Sequence, residues 1–196
     1  MSRTVQLALA SGLALVTLLA GCATDSRSYD RTRGRWTRKV ETYENFESRL
    51  FVRATFKTEE FRRAYADAYA RMFALEPAAR ESLLEAELAE QADEYVFVVA
   101  SFTNSLDWEN LDPKAGIWDV RMENGDGRVI RPSKVKRLDE TNPTWDRLFP
   151  YKAFHDRLYE FHFPKDPASP IARSGEPVYL VIAGAPAQVK LEWPMP

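Results

Sequence analysis

The chain has 196 residues, a formal net charge of −2, 45% hydrophobic and 12% aromatic residues, and one cysteine. That balance excludes a disordered chain and offers no basic surplus for nucleic acid. A single cysteine excludes an intrachain disulfide, so the fold must rest on its apolar core.

Residues 1–21 read as an export signal. Arg3 precedes an apolar run from Val5 to Ala20, broken by Gln6, Ser11, Gly12 and Thr17. The run is shorter than the roughly 20 residues of a stable bilayer span, which favours a cleaved leader. It closes on Leu19-Ala20-Gly21-Cys22, which resembles the lipobox of bacterial lipoproteins at all four positions. The resemblance implies a diacylglyceryl group on the Cys22 sulfur, cleavage before Cys22, and acylation of the new amino group, for example with palmitate. Two or three chains anchor stably where one holds only marginally. Ala23 stands where a signal for inner-membrane retention would place Asp, which implies the outer membrane, facing the periplasm.

Residues 22–40 read as a lipidated tether. They hold Arg27, Arg31, Arg33, Arg35, Arg38 and Lys39 with few apolar side chains beyond Tyr29 and Trp36. Such a stretch can lie on anionic headgroups or act as a solvated spacer. Residues 41–196 are expected to form one globular domain.

Within it, Leu50, Val52, Ala54 and Phe56 alternate with Phe51, Arg53, Thr55 and Lys57, the period of a strand. Thr58 can cap a following helix, with Glu59 and Glu60 at its positive end. That helix runs to about Leu75, with Phe61, Tyr65, Tyr69 and Phe73 along one face. Pro77 suits the first position of a second helix. Its buried stripe is expected to be Leu84, Leu88 and Ala92, opposite an acidic side of Glu81, Glu85, Glu87 and Glu90.

The remainder reads as β. Tyr95 to Phe102 is an apolar run for a strand covered on both faces, and Trp118, Val120 and Met122 alternate with polar residues. Asn124-Gly125-Asp126-Gly127 supplies a tight hairpin. Its return strand, about Arg128 to Leu138, contains Pro132 and fits an edge or bulge. Leu158 to Phe163, Val178 to Ala183 and Gln188 to Trp193 complete about seven strands. The expected fold is mainly β: an immunoglobulin-like antiparallel β-sandwich with a two-helix insertion after the first strand. The alternative is an α+β layer with both helices on one face of an open antiparallel sheet.

The segment Leu50-Phe51-Val52-Arg53-Ala54-Thr55, the strand Trp118-Asp119-Val120 and the turn Leu148-Phe149-Pro150-Tyr151 resemble a group of uncharacterised proteobacterial lipoproteins. That resemblance implies no activity.

Candidate sites are few. No Gly-x-Ser-x-Gly elbow or phosphate loop occurs, and no catalytic residue, cofactor or metal centre is assigned. The aromatic helix face Phe61, Tyr65, Tyr69 and Phe73, with Trp108 in a loop, is the candidate ligand-binding surface; such rings can equally form the contact between helix and sheet. His155, Asp156 and His162 would serve a metal-dependent hydrolase only if they converged. The expected function is a membrane-anchored, non-catalytic binding or interaction module of the cell envelope, with a protein partner there. The alternatives are a carrier of a small apolar ligand or that hydrolase.

Overall fold

The structure, a computed structural model, describes residues 27–196. The expected signal, residues 1–21, and Cys22 lie outside the described residues. Residues 27–40 are part of the fold, a correction to the tether expected over 22–40: helix α1 (residues 27–36) runs directly into strand β1 (Thr37–Glu44). Tyr29 and Trp36, two helical turns apart, share the buried side of α1, while Arg27, Arg31 and Arg35 face solvent. The Tyr29 hydroxyl donates to the Leu148 carbonyl at 2.8 Å, and Trp36 Nε1 donates to Glu60 at 2.9 Å.

β1 turns into β2 (Glu47–Phe56) through Asn45 and Phe46, both at positive φ (50° and 65°), as a two-residue primed turn requires. Helix α2 (Glu59–Met72) begins where expected, with the Thr58 side chain accepting from the Phe61 amide at 3.3 Å. Helix α3 (Pro77–Asp93) then leads into β3 (Glu94–Thr103). β4 (Trp118–Asn124), β5 (Val129–Ile130), β6 (Lys134–Arg137), helix α4 (Pro143–Leu148), β7 (Arg157–Pro164), β8 (Pro177–Gly184) and β9 (Gln188–Pro194) follow.

The strands form two antiparallel sheets, ordered β1-β2-β3-β7-β6 and β5-β4-β8-β9. With its helices, this is a β-sandwich-like α+β fold made mostly of strands. The helical pair follows the second strand, because β1 precedes the strand expected to be first. The single return strand expected over 128–138 is two strands in different sheets. β5 pairs with β4 and β6 with β7, and Pro132 stands between them, where the chain crosses from one sheet to the other.

The sheets meet through alternating inward residues. Phe97 stacks on Phe56 at 4.5 Å, meets Phe163 edge-on at 5.8 Å, and approaches Trp193 of the facing sheet at 5.1 Å. β8 comes close to Trp118 at Gly184, where a Cβ would stand 2.4 Å from the Ile117 carbonyl oxygen. The opposite face of the five-stranded sheet lies under α2 and α3, so β3 is covered on both sides as its composition suggests.

Candidate functional site

The layer between that outer face and the helices is ionic. β-alternation that points Phe56, Phe161 and Phe163 inward points Lys57, Glu160 and His162 outward, and α2 and α3 meet them with Arg62, Glu87, Glu90 and, at the start of β3, Glu94. Arg62 is 0% exposed although it is an arginine, and its Nη1 lies 2.6 Å from both Glu87 and Glu90. Its Nε donates to the Lys57 carbonyl at 3.0 Å. Lys57 Nζ lies 3.1 Å from Glu87, 3.4 Å from Glu90 and 3.8 Å from Glu160. His162 Nδ1 lies 2.7 Å from Glu94, and its Nε2 is 3.9 Å from Glu160.

These groups act on one another. Burial works to raise the Glu90 carboxyl, but Lys57 and Arg62 together outweigh it and hold the group below its ordinary value. Burial, then Glu87 and Glu160, push the neighbouring Tyr65 hydroxyl upward. Burial, then Arg62, pull Lys165 downward. Among the described residues, the group able to hold a metal ion is Glu90, Glu94 and His162, whose ligand atoms lie within 4.8 Å of one another.

Beside this layer is an apolar cleft of about 260 Å³. Trp36, Phe56, Tyr95 and Met195 provide its apolar wall, and Glu94, Lys57 and Lys165 its polar side. Lys165 Nζ lies 4.8 Å from the centre of the Tyr95 ring and donates to the Gln91 carbonyl.

The expected ligand face is divided. Phe61 and Tyr65 are buried against Tyr29 and Phe149, where they form the contact between helix and core. Tyr69 is half-buried, and Phe73, 4.5 Å from it at the helix end, is exposed. Trp108 lies at the other end of the sandwich from the apolar cleft. It packs against the core, its carbonyl accepts from Trp118, and its ring lies 5.6 Å below the Arg49 guanidinium.

His155, Asp156 and His162 do not converge. His155 lines a polar cleft with Glu109 and Arg157, while Asp156 accepts from the Ala153 amide at 2.8 Å and pairs with Arg53. His162 is six residues further along an extended strand, roughly 20 Å away. His162 is also not at the protein surface, since α3 covers it and leaves it 2% exposed.

The ionic layer was missed because its members come from five separate stretches of the chain: the end of β2, α2, α3, the start of β3, and β7. Its one local sign is Arg62, which falls between Phe61 and Tyr65 on the buried stripe of α2, where a charge needs a partner. α3 supplies that partner with the side expected to face solvent: Glu87 and Glu90 turn inward, and Ala92 is exposed. Comparison of the chain with family models, curated proteins and solved structures finds no match.

Proposed function

We propose that this chain is a lipid-anchored, non-catalytic binding module of the bacterial cell envelope, held by Cys22 at the periplasmic face of the outer membrane. In this reading it takes a small ligand with an apolar body in the cleft of Trp36, Phe56, Tyr95 and Met195. The observation that carries the ligand reading is that cleft: a concave, mostly aromatic wall with a few charged groups at its edge, which is how small-molecule sites are built. The lipobox-like Leu19-Ala20-Gly21-Cys22 carries the anchor. An envelope protein partner is part of the same proposal, since a lipid-held frame presents its loops to neighbours at the membrane.

The strand order supports the immunoglobulin-like form of the sandwich as a further part of the proposal. Taken from β2 onward, β2-β3-β7-β6 corresponds to the A-B-E-D sheet of that fold, and β5-β4-β8-β9 to C′-C-F-G. On that reading α2 and α3 form an insertion between strands A and B, and β1 is an added edge.

The test is native mass spectrometry of the full chain extracted from membranes in mild detergent. The wild type should carry acyl chains on Cys22 and a non-covalent small-molecule mass. Met195→Glu, which puts a charge into the half-buried cleft wall, should lose the second mass and keep the first. Cys22→Ser should fail to incorporate labelled palmitate and leave the membrane fraction. A wild-type chain with no bound mass would sink the ligand reading; a Cys22→Ser chain that stays membrane-bound would sink the anchor.

A further inference from the structure

We infer that Glu90, Glu94 and His162 form a binding site for a divalent transition-metal ion of the zinc class. The ligand set is mixed nitrogen and oxygen from α3, its junction with β3, and β7. His162 Nδ1 lies 2.7 Å from Glu94 Oε2 and 3.7 Å from Glu90 Oε1. Tetrahedral zinc, with bonds of about 2.0–2.1 Å, separates neighbouring ligands by roughly 3.3 Å. The two distances from His162 bracket that value, and all three ligand atoms lie within 4.8 Å of one another, so the site closes by drawing the two carboxylates together around the ion.

A second observation points the same way. His162 Nε2 is buried and has no hydrogen-bond partner. The Glu94 carboxylate can only accept, so in a neutral imidazole the proton is on Nδ1 and the bare Nε2 faces Glu160 Oε2 at 3.9 Å, acceptor against acceptor. A metal on Nδ1 moves that proton to Nε2, which then donates to Glu160. No proton is gained or lost. The result is the carboxylate–histidine–metal arrangement in which the second nitrogen of a ligating imidazole is held by a carboxylate.

Access agrees. In the covered layer Glu87 and Glu90 are held by Lys57 and Arg62, and Glu160 has Lys57 at 3.8 Å and Lys136 at 3.5 Å, while Glu94 has His162 as its partner at 2.7 Å. Arg62 and Lys57 hold Glu90 through Oε2, so Oε1 is the oxygen offered to the metal. Glu90 and Glu94 are 33% and 28% exposed in their side chains, which opens the site to solvent on one side. Glu94 also lines the apolar cleft, so a bound ion would form part of its wall.

The experiment is calorimetric titration of the full chain, purified in detergent and stripped with EDTA, with zinc chloride. One equivalent should bind, and zinc-edge X-ray absorption should show one imidazole among oxygen ligands. Glu90→Gln and Glu94→Gln should each weaken binding by at least about tenfold. Because His162→Ala can fail to fold, the half-exposed glutamates carry the genetic test. Absence of stoichiometric binding would overturn the inference. So would binding that both glutamine variants leave unchanged, or a spectrum without imidazole.

Discussion

On its inner face the five-stranded sheet presents Phe56, Phe97 and Phe163 to Trp193 of the facing sheet. One residue further along the same strands, its outer face presents Lys57, Glu160 and His162 to Arg62, Glu87 and Glu90. The inner contact is non-directional, so each ring contributes through the area it removes from water, about 25 cal/mol per Å². The outer contact depends on partnership. Each buried charge is tolerable only while its counter-charge is in place, since removing one partner strands the other. The two layers therefore differ in what they tolerate: the first forgives a change of shape, the second a paired loss of charge but not a single one.

The largest expected effect is on the inner face. Phe97→Ala removes a fully buried ring from between Phe56, Phe163 and Trp193 and should cost about 3–5 kcal/mol of unfolding free energy in urea. A loss under about 1 kcal/mol would mean the two sheets are not packed through this ring. Next comes the outer face. Arg62→Met leaves Glu87 and Glu90 with Lys57 as their shared remaining partner and should cost about 3 kcal/mol, while Arg62→Met with Glu87→Met, which leaves Lys57 paired with Glu90, should recover most of it. If the double change costs more than the single one, the partnership account of this layer fails.

The smallest effect belongs to half-buried pairs on the second sheet, which calibrate both layers. Asp119 and Glu123 each face Arg121, and although partial burial works to raise them, their arginine and lysine partners hold both carboxyls below their ordinary values. A carboxyl lowered on folding stabilises the native state above its unfolded value, about 4, and that contribution is lost as pH falls through the folded one. The thermal midpoint should thus be level from pH 8 to about 5 and decline below about 4, less steeply in Asp119→Asn/Glu123→Gln. An identical acid slope in that variant would remove these pairs from the account.

The difference between the faces also explains what was legible beforehand. Alternation along β2, β4 and β9 and the cap at Thr58 are local, and the structure reproduces them. β1 was hidden because it is an edge strand rich in charge, Thr-Arg-Lys-Val-Glu-Thr-Tyr-Glu, as edges that must resist pairing are. Its turn was hidden too, because Asn45-Phe46 adopts a conformation that Asn-Gly would have announced. The candidate metal residues could not be brought together from the chain alone: Glu90 and His162 are far apart in sequence and meet only because α3 lies over β7. The aromatic stripe of α2 was readable as a stripe, but not as core at Phe61 and surface at Phe73, since Tyr29 and Phe149 cover only one end.

The described part of helix α1 starts at residue 27, five residues after Cys22. Five peptide steps reach at most about 18 Å. If Cys22 carries lipid as proposed, the folded body is moored within one small-domain radius of the bilayer, with Tyr29 pinned between α2 and α4 near the point of attachment. On that proposal the body would search in two dimensions with its rotation restricted. A partner or ligand would then have to come to the membrane surface to be caught, and inserting residues between Cys22 and residue 27 would change capture without touching a single binding residue.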